Sequence, residues 1–357
     1  MKMLYKITSA LLLAALTGCM PMTYPPGAKN NTASLSETVF LTEDGANLPI
    51  RHWLPKTDPQ AILIALHGFN DYSLFFQQPG EYFSQQGIAS FAYDQRGFGA
   101  APKRGLWAGS AAYTDDLLAL VRLIKQRYPN RPVYLLGESM GGAIIINAMS
   151  QSGIPVVAGI ILVAPALWAR STMPWYQTGL LWTLAHSLPW LTLTGKGVKV
   201  MPSDNIEMLR ALGRDPWVIK ATRVETVYGL TDLMDEAFNS ATLLHGNTLM
   251  LYGEKDDIIP KQPTYAFLQK FLATDTTEKT VAFYQQGYHM LLRDLQAPTA
   301  WKDIASWINN KPKKLPSGAD NRAHEILSNL PSSFKPHKPQ PLGQIERPAI
   351  NEAKLLY

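Results

Sequence analysis

The sequence predicts an α/β protein: a mostly parallel central sheet with helices on both faces and a helical insertion over one edge. Three observations predict it. Apolar runs of strand length alternate with helical stretches through most of the chain. One run, Ala61-Ile62-Leu63-Ile64-Ala65-Leu66, is unbroken in the way of a strand covered on both faces. Another, Val133-Tyr134-Leu135-Leu136, stops at a glycine, and a helical pattern begins just after Ser139. With 357 residues, 46% of them hydrophobic and 17% charged, the chain can bury a substantial core.

In order, strand-like runs fall at Thr38 to Leu41 and Leu48 to Leu54, divided by the turn Asp44-Gly45. After the 61–66 strand come the loop His67-Gly68-Phe69-Asn70-Asp71-Tyr72-Ser73, a helix over Leu74 to Gln86 and a strand over Ile88 to Tyr93. The loop Asp94-Gln95-Arg96-Gly97-Phe98-Gly99 leads to a long helix, Tyr113 to Tyr128. The strand and helix around Ser139 follow, then a strand over Val156 to Val163. From Pro165 to about His245 the alternation breaks, and this insertion holds five of the nine tryptophans: Trp168, Trp175, Trp182, Trp190 and Trp217. Its stretch from Trp175 to Leu193, interrupted by Pro189, is spaced like short helices. The rhythm resumes with a strand (Thr248 to Tyr252), a helix (Pro263 to Leu272), a strand (Thr280 to Tyr284) and a closing helix (Pro298 to Ile308).

The ends differ from this body, which spans about 37–310. Met1 to Cys19 reads as a secretory signal, with Lys2 and Lys6 before a short apolar run (Ala10 to Leu16) that cannot span a bilayer. Leu16-Thr17-Gly18-Cys19 resembles a bacterial lipobox, so residues 1–18 are expected to be removed and Cys19, the sole cysteine, to carry lipid. Met20 in place of an aspartate favours the outer membrane as address. A lipidated Cys19 leaves no thiol for a disulfide, so stability must come from the core. Residues 19–36, rich in Pro, Asn, Thr and Gly, read as a tether, and 311–357 as a mostly extended, basic, Pro-rich tail. The net charge of +5 is concentrated at the ends. The tail contributes +4 and Lys2 and Lys6 add +2, which leaves −1 for residues 7–310. Nothing in so neutral a body favours nucleic acid as a partner.

The chemistry is concentrated at Gly137-Glu138-Ser139-Met140-Gly141, a G-x-S-x-G elbow. A serine at a sharp strand-to-helix turn needs glycine two residues to either side, because a Cβ there would collide. The turn lifts the hydroxyl above the sheet rim and points free N–H groups of the helix at developing negative charge. A serine hydroxyl also needs a base and a carboxylate to orient that base. On such an elbow the partners follow in the order Ser, Asp/Glu, His, each in a loop after a strand. His52 and His67 precede the serine, His186 and His245 lie in or beside the insertion, and His324 and His337 lie in the tail. His289, after the strand ending near Tyr284, is the candidate base. Asp256 and Asp257 both follow the strand ending at Tyr252, and position alone does not separate them. The backbone N–H groups of Met140 and Phe69 are the candidate oxyanion donors, each worth about 3–4 kcal/mol of barrier. His67 is expected to brace its loop.

These stretches resemble the monoacylglycerol lipase and lysophospholipase-like branch (serine aminopeptidase S33-type) of the α/β-hydrolase fold. The match rests on His67 to Ser73, Asp94 to Gly99, Gly137 to Gly142, and Gly253 to Pro260 with His289. The family pattern G-x-x-D-x-(I/V)-(I/V)-P falls on Gly253 to Pro260 and selects Asp256. Ala100 and Ala101 stand where relatives usually carry a serine, in a loop that supports the site, with Asp94 and Arg96 as structural residues. The resemblance implies a serine hydrolase acting through an acyl-enzyme on carboxylic esters of single-chain amphiphilic lipids, with no metal or organic cofactor. It also implies that the insertion is a cap shaping the acyl pocket, a role its Trp and Leu fit. The stretch from Trp175 to Leu193 could instead rest on the bilayer. The alternatives are a serine aminopeptidase or amidase, and an envelope scaffold or lipid carrier without catalysis. An epoxide hydrolase or dehalogenase is disfavoured, because those place an aspartate at the elbow.

Overall fold

The computed structural model describes residues 21–195, 200–244, 246–274, 278–310 and 314–330. The signal segment, Cys19 and the tail beyond 330 lie outside them. Three strands open the fold: β1 (Ser34–Leu35), β2 (Val39–Leu41) and β3 (Asn47–Trp53). They pair antiparallel in turn, and β3 continues antiparallel onto β5 (Ile88–Tyr93). Between them, β4 (Ala61–Leu66) leads through a single turn of tight helix (Ser73–Phe76) to α1 (Gln77–Gln85). Then follow α2 (Ser110–Arg127), β6 (Val133–Glu138), α3 (Met140–Met149) and β7 (Gly159–Val163). The cap contributes α4 (Trp175–Ser187), β8 (Thr192–Thr194), α5 (Ile206–Arg214) and β9 (Ala221–Arg223). The chain returns through α6 (Val224–Asn239), β10 (Thr248–Gly253), α7 (Lys261–Leu272), β11 (Lys279–Tyr284), α8 (Ala297–Asn310) and α9 (Ala319–Ser328).

The nine-stranded sheet has the order β1-β2-β3-β5-β4-β6-β7-β10-β11, and from β5 to β11 every pairing is parallel. Alternation along β4 feeds both faces: Ile62, Ile64 and Leu66 enter one apolar cluster, Ala61, Leu63 and Ala65 the other. Helix α3 is buried along its entire length, which its Ala-Ile-Ile-Ile centre permits. A parallel sheet of this kind places the carboxyl ends of β4, β6, β10 and β11 along one rim, which is where the candidate residues lie.

Three boundaries differ from the sequence expectations. Residues 319–328 form a helix, not an extended tail. Ala319 and Ala323 are buried against the sheet side, Ser317 N–H donates to Asp303, and Arg322 pairs with Glu254. Its apolar face is two buried alanines with Ile326 and Leu327 half-buried at one end, too little to show a hydropathy period. Residues 22–31 are not a free tether, since backbone bonds join Tyr24 to Trp107 and Asn31 to Glu43. Such bonds leave no side-chain pattern in sequence. The cap closes earlier than 245, because α6 buries Leu233, Met234, Ala237 and Phe238 in the core beside α3.

Candidate active site

Ser139 occupies the gap between β6 and α3 with φ +53° and ψ −113°, a left-handed conformation that costs a non-glycine residue about 1–3 kcal/mol. Bonds on both sides hold it there: its N–H donates to Val163 O at 3.0 Å, and Ala166 N–H donates to its carbonyl at 2.9 Å. The flanking glycines behave as their spacing predicts. A Cβ on Gly137 would strike the Gly141 backbone, and one on Gly141 would strike the Leu66 carbonyl. Gly141→Ala is therefore expected to destabilise the fold by about 1–3 kcal/mol or more, read as a lowered thermal midpoint, because rigid backbone must move.

Beyond β10, Asp256 is buried and Asp257 exposed, which separates the two carboxylates. Asp256 Oδ1 accepts the N–H groups of Ile258 and Ile259 at 2.8 and 2.9 Å. Its Oδ2 accepts from His289 Nδ1 at 2.8 Å. This bond fixes the tautomer and leaves Nε2 as the ring's basic nitrogen. Burial alone would pull the His289 pKa down, but the charge and hydrogen bond of Asp256, with a further pull from Glu138, outweigh it and leave the pKa above its usual value. Neither the Ser139 hydroxyl nor His289 Nε2 has a hydrogen-bond partner among the described residues, so both are available for chemistry.

The loop after β4 lies against the elbow: a Cβ on Gly68 would sit 3.3 Å from Ser139 Cβ. Phe69 follows Gly68 directly in the chain, and Met140 opens α3 in the first turn, where N–H groups lack an acceptor within the helix. Neither amide has a partner among the described residues. His67 braces the loop as expected. It is wholly buried, its Nδ1 donates to Gly68 O at 2.8 Å, and its Nε2 accepts from Gln95 N–H at 3.0 Å. Burial lowers its pKa, so it stays neutral. Asn70 ties the same loop to the cap: its side chain donates to Thr222 Oγ1 at 2.8 Å and its carbonyl accepts from Ile219 N–H. Asp94 accepts from Ser73 and Ala100 N–H groups, and Arg96 bridges Asp44 and Asp116, both structural roles.

One group escapes the sequence reading. Arg293, four residues after His289, is buried and pairs with Asp71 Oδ2 and with Glu138 Oε1, both at 2.8 Å. A single guanidinium thus joins the loop after β4, the residue before Ser139 and the loop that carries His289. The cluster holds two carboxylates against one cation, and Glu138 Oε2 has no hydrogen-bond partner. In sequence only Glu138, a charged residue ending an apolar strand, marks it. Beside Arg293, a cleft of about 280 Å³ opens between the loop at Asp71 to Phe75 and α5, with Met208 and Leu212 on its cap side. Ser139 and His289 are not among its lining residues.

The sequence model of the family described as "Serine aminopeptidase, S33" matches residues 57–296. A monoglyceride lipase of Rattus norvegicus is 26% identical over 284 residues, covering 76% of this chain and 90% of that protein. A monoacylglycerol lipase of Mycolicibacterium smegmatis is 26% identical over 292 residues, covering 78% and 98%. Among solved structures, a soluble variant of monoglyceride lipase from Saccharomyces cerevisiae, in complex with a substrate analog, superposes with a TM-score of 0.65. It is 19% identical and covers 82% of this chain and all of that one. The fold is that of the α/β-hydrolases.

Proposed function

Because the chain belongs to the serine aminopeptidase S33 family of α/β-hydrolases, we propose that it is a lipid ester hydrolase whose nucleophile is Ser139. Its substrates would be single-chain amphiphiles, of the monoacylglycerol or lysophospholipid kind. The single observation that carries this reading is the buried His289–Asp256 pair on the same sheet rim as the strained Ser139 elbow. In the first half-reaction, His289 Nε2 takes the hydroxyl proton as Ser139 Oγ adds to the ester carbonyl. The Phe69 and Met140 N–H groups receive the oxyanion. Collapse breaks the bond to the alcohol, which leaves with the proton from His289, and the acyl group stays on Ser139. Water, deprotonated by the same nitrogen, then releases the fatty acid and restores the serine. Asp256 holds the ring and stabilises its cation. Glu138 adds a second carboxylate to that field, while burial pushes its own pKa above the usual carboxylate range.

The names of the relatives support the ester class. We further propose that Cys19 is lipidated and that the protein works at a membrane surface in the cell envelope, the outer membrane being the preferred address.

A panel of 1-monoacylglycerols and p-nitrophenyl esters against aminoacyl anilides tests the class. Ester turnover with negligible anilide turnover is the expected result, and preferred anilide cleavage would replace the reading with an aminopeptidase. The pH profile tests the base. A base must be neutral to accept a proton, so kcat/KM rises as His289 deprotonates. With its pKa held up, the acid limb of wild type is expected above pH 6.5. Glu138→Gln removes one of the carboxylates that favour the cation and should move that limb to lower pH, while Arg293 and Asp256 still face the ring.

A further inference from the structure

Helix α4 presents a surface that the fold leaves uncovered. Residues 171–195 contain no Asp, Glu, Lys or Arg, and α4 carries apolar side chains on every side. Such a helix ordinarily lies inside a protein or in lipid. Here Ala185 is its only buried residue. Trp175 is 84% exposed, Leu180 62%, Trp182 56% and Trp190 53%, with Tyr176, Leu188 and Leu191 exposed beside them. An apolar surface of this extent on a single chain marks a contact with something else.

The N-terminal segment runs to the edge of the same surface. Met22, itself 54% exposed, donates its N–H to Glu225 Oε2 at 3.4 Å, and Tyr24 N–H donates to Trp107 O at 2.7 Å. Glu225 in turn donates its N–H to Pro189 O at 3.1 Å, and Val224 N–H donates to Leu191 O at 2.8 Å. Glu225 therefore links Met22, through its side chain, to the turn that carries Trp190 and Leu191. Further along, Gly27 N–H is bound by Asp44, and Lys29 pairs with Asp115 and Glu43. Only two residues, Met20 and Pro21, separate Met22 from Cys19, at most about 11 Å of chain.

The geometry points to an orienting strap: residues 22–31 hold a lipid anchor at Cys19 beside the cap, so that the exposed face of α4 and the turn at Trp190 lies in a phospholipid bilayer. The inference rests on the lipidation proposed above. A bilayer is the occupant because the anchor lies at most about 11 Å of chain from Met22, whose N–H is bound by Glu225 at the edge of this surface, and because the indole and phenol groups suit a boundary between hydrocarbon and water. An anchor that short allows the body little freedom to turn the cap away from the lipid. Single-chain substrates dissolved in the membrane would then meet the cap first.

The full-length lipidated protein, reconstituted in phosphatidylethanolamine and phosphatidylglycerol vesicles with or without brominated acyl chains, supplies the test. Bromine is expected to quench at least a third of the tryptophan emission. The Trp182→Ser/Trp190→Ser double variant should lose most of that quenching while still floating with the vesicles and keeping its thermal midpoint. Cys19→Ser should bind vesicles at least tenfold more weakly. Undiminished emission from wild type on brominated vesicles overturns the inference, as does a concentration-dependent dimer that shields these tryptophans. Vesicle-bound Cys19→Ser with full quenching overturns the anchor's part in it. Fluorophosphonate labelling of the same preparations reports on the serine separately, so a failure of catalysis and a failure of docking are distinguishable.

Discussion

Replacing Ser139 by alanine is expected to lower kcat/KM for a soluble ester by about 10⁵- to 10⁶-fold, the scale seen when a serine nucleophile is lost. The thermal midpoint should change little. Alanine retains the Cβ and its elbow strain, and the serine hydroxyl makes no bond among the described residues whose loss would destabilise the fold. Activity and stability therefore separate at this position. A variant equally damaged in both would mean that the hydroxyl is structural. Asp256→Asn should fall short of this, by about 10⁴-fold, because an asparagine can hold the ring but favours the wrong tautomer.

Arg293→Met is expected to be the most destabilising single change in the site. It leaves Asp71 and Glu138 buried without their shared cation, and breaking a buried pair in this way costs about 3–5 kcal/mol. In a domain of this size the thermal midpoint should fall by roughly 6–12 °C. Turnover should also drop, since Asp71 and Glu138 belong to the two loops that flank the nucleophile. The triple replacement Asp71→Asn/Glu138→Gln/Arg293→Met, which removes the charges together, is expected to recover much of the stability, because the penalty lies in the unpaired charges. Restored stability without restored turnover would identify the cluster as a positioning device; recovery of both would make it a packing element only.

Much of this site was legible in the sequence because its chemistry demands particular residues at particular spacings. Gly137, Ser139 and Gly141 are tied together by collision between backbone atoms, and a collision leaves a fixed spacing. His289 could be found by elimination, since the elbow imposes an order on its partners. Asp256 and Asp257 could not be separated by position, because both follow the same strand. The deciding fact, that one faces inward to the imidazole and accepts two backbone N–H groups, belongs to three dimensions. Arg293 escaped for a related reason. Its partners lie 222 and 155 residues away, and a lone arginine after a histidine carries no periodic signal. The cap's end is not marked in sequence because α6 continues the helical pattern of the insertion, with acidic residues on one side, while its Leu233, Met234, Ala237 and Phe238 pack into the body beside α3. Residues 22–31 and 319–328 likewise read as loose chain, since backbone hydrogen bonds leave no hydropathy pattern and the second segment has only two alanines and the adjacent Ile326 and Leu327 to mark an apolar face.

The central claim is that His289 and Asp256 activate Ser139. Its most direct measurement is labelling of the intact protein with a fluorophosphonate, followed by mass mapping of the adduct. One adduct on Ser139 is expected in wild type, with labelling slowed at least a thousandfold in His289→Ala. An unlabelled Ser139 in protein that still turns over esters, or labelling undiminished without His289, would contradict it.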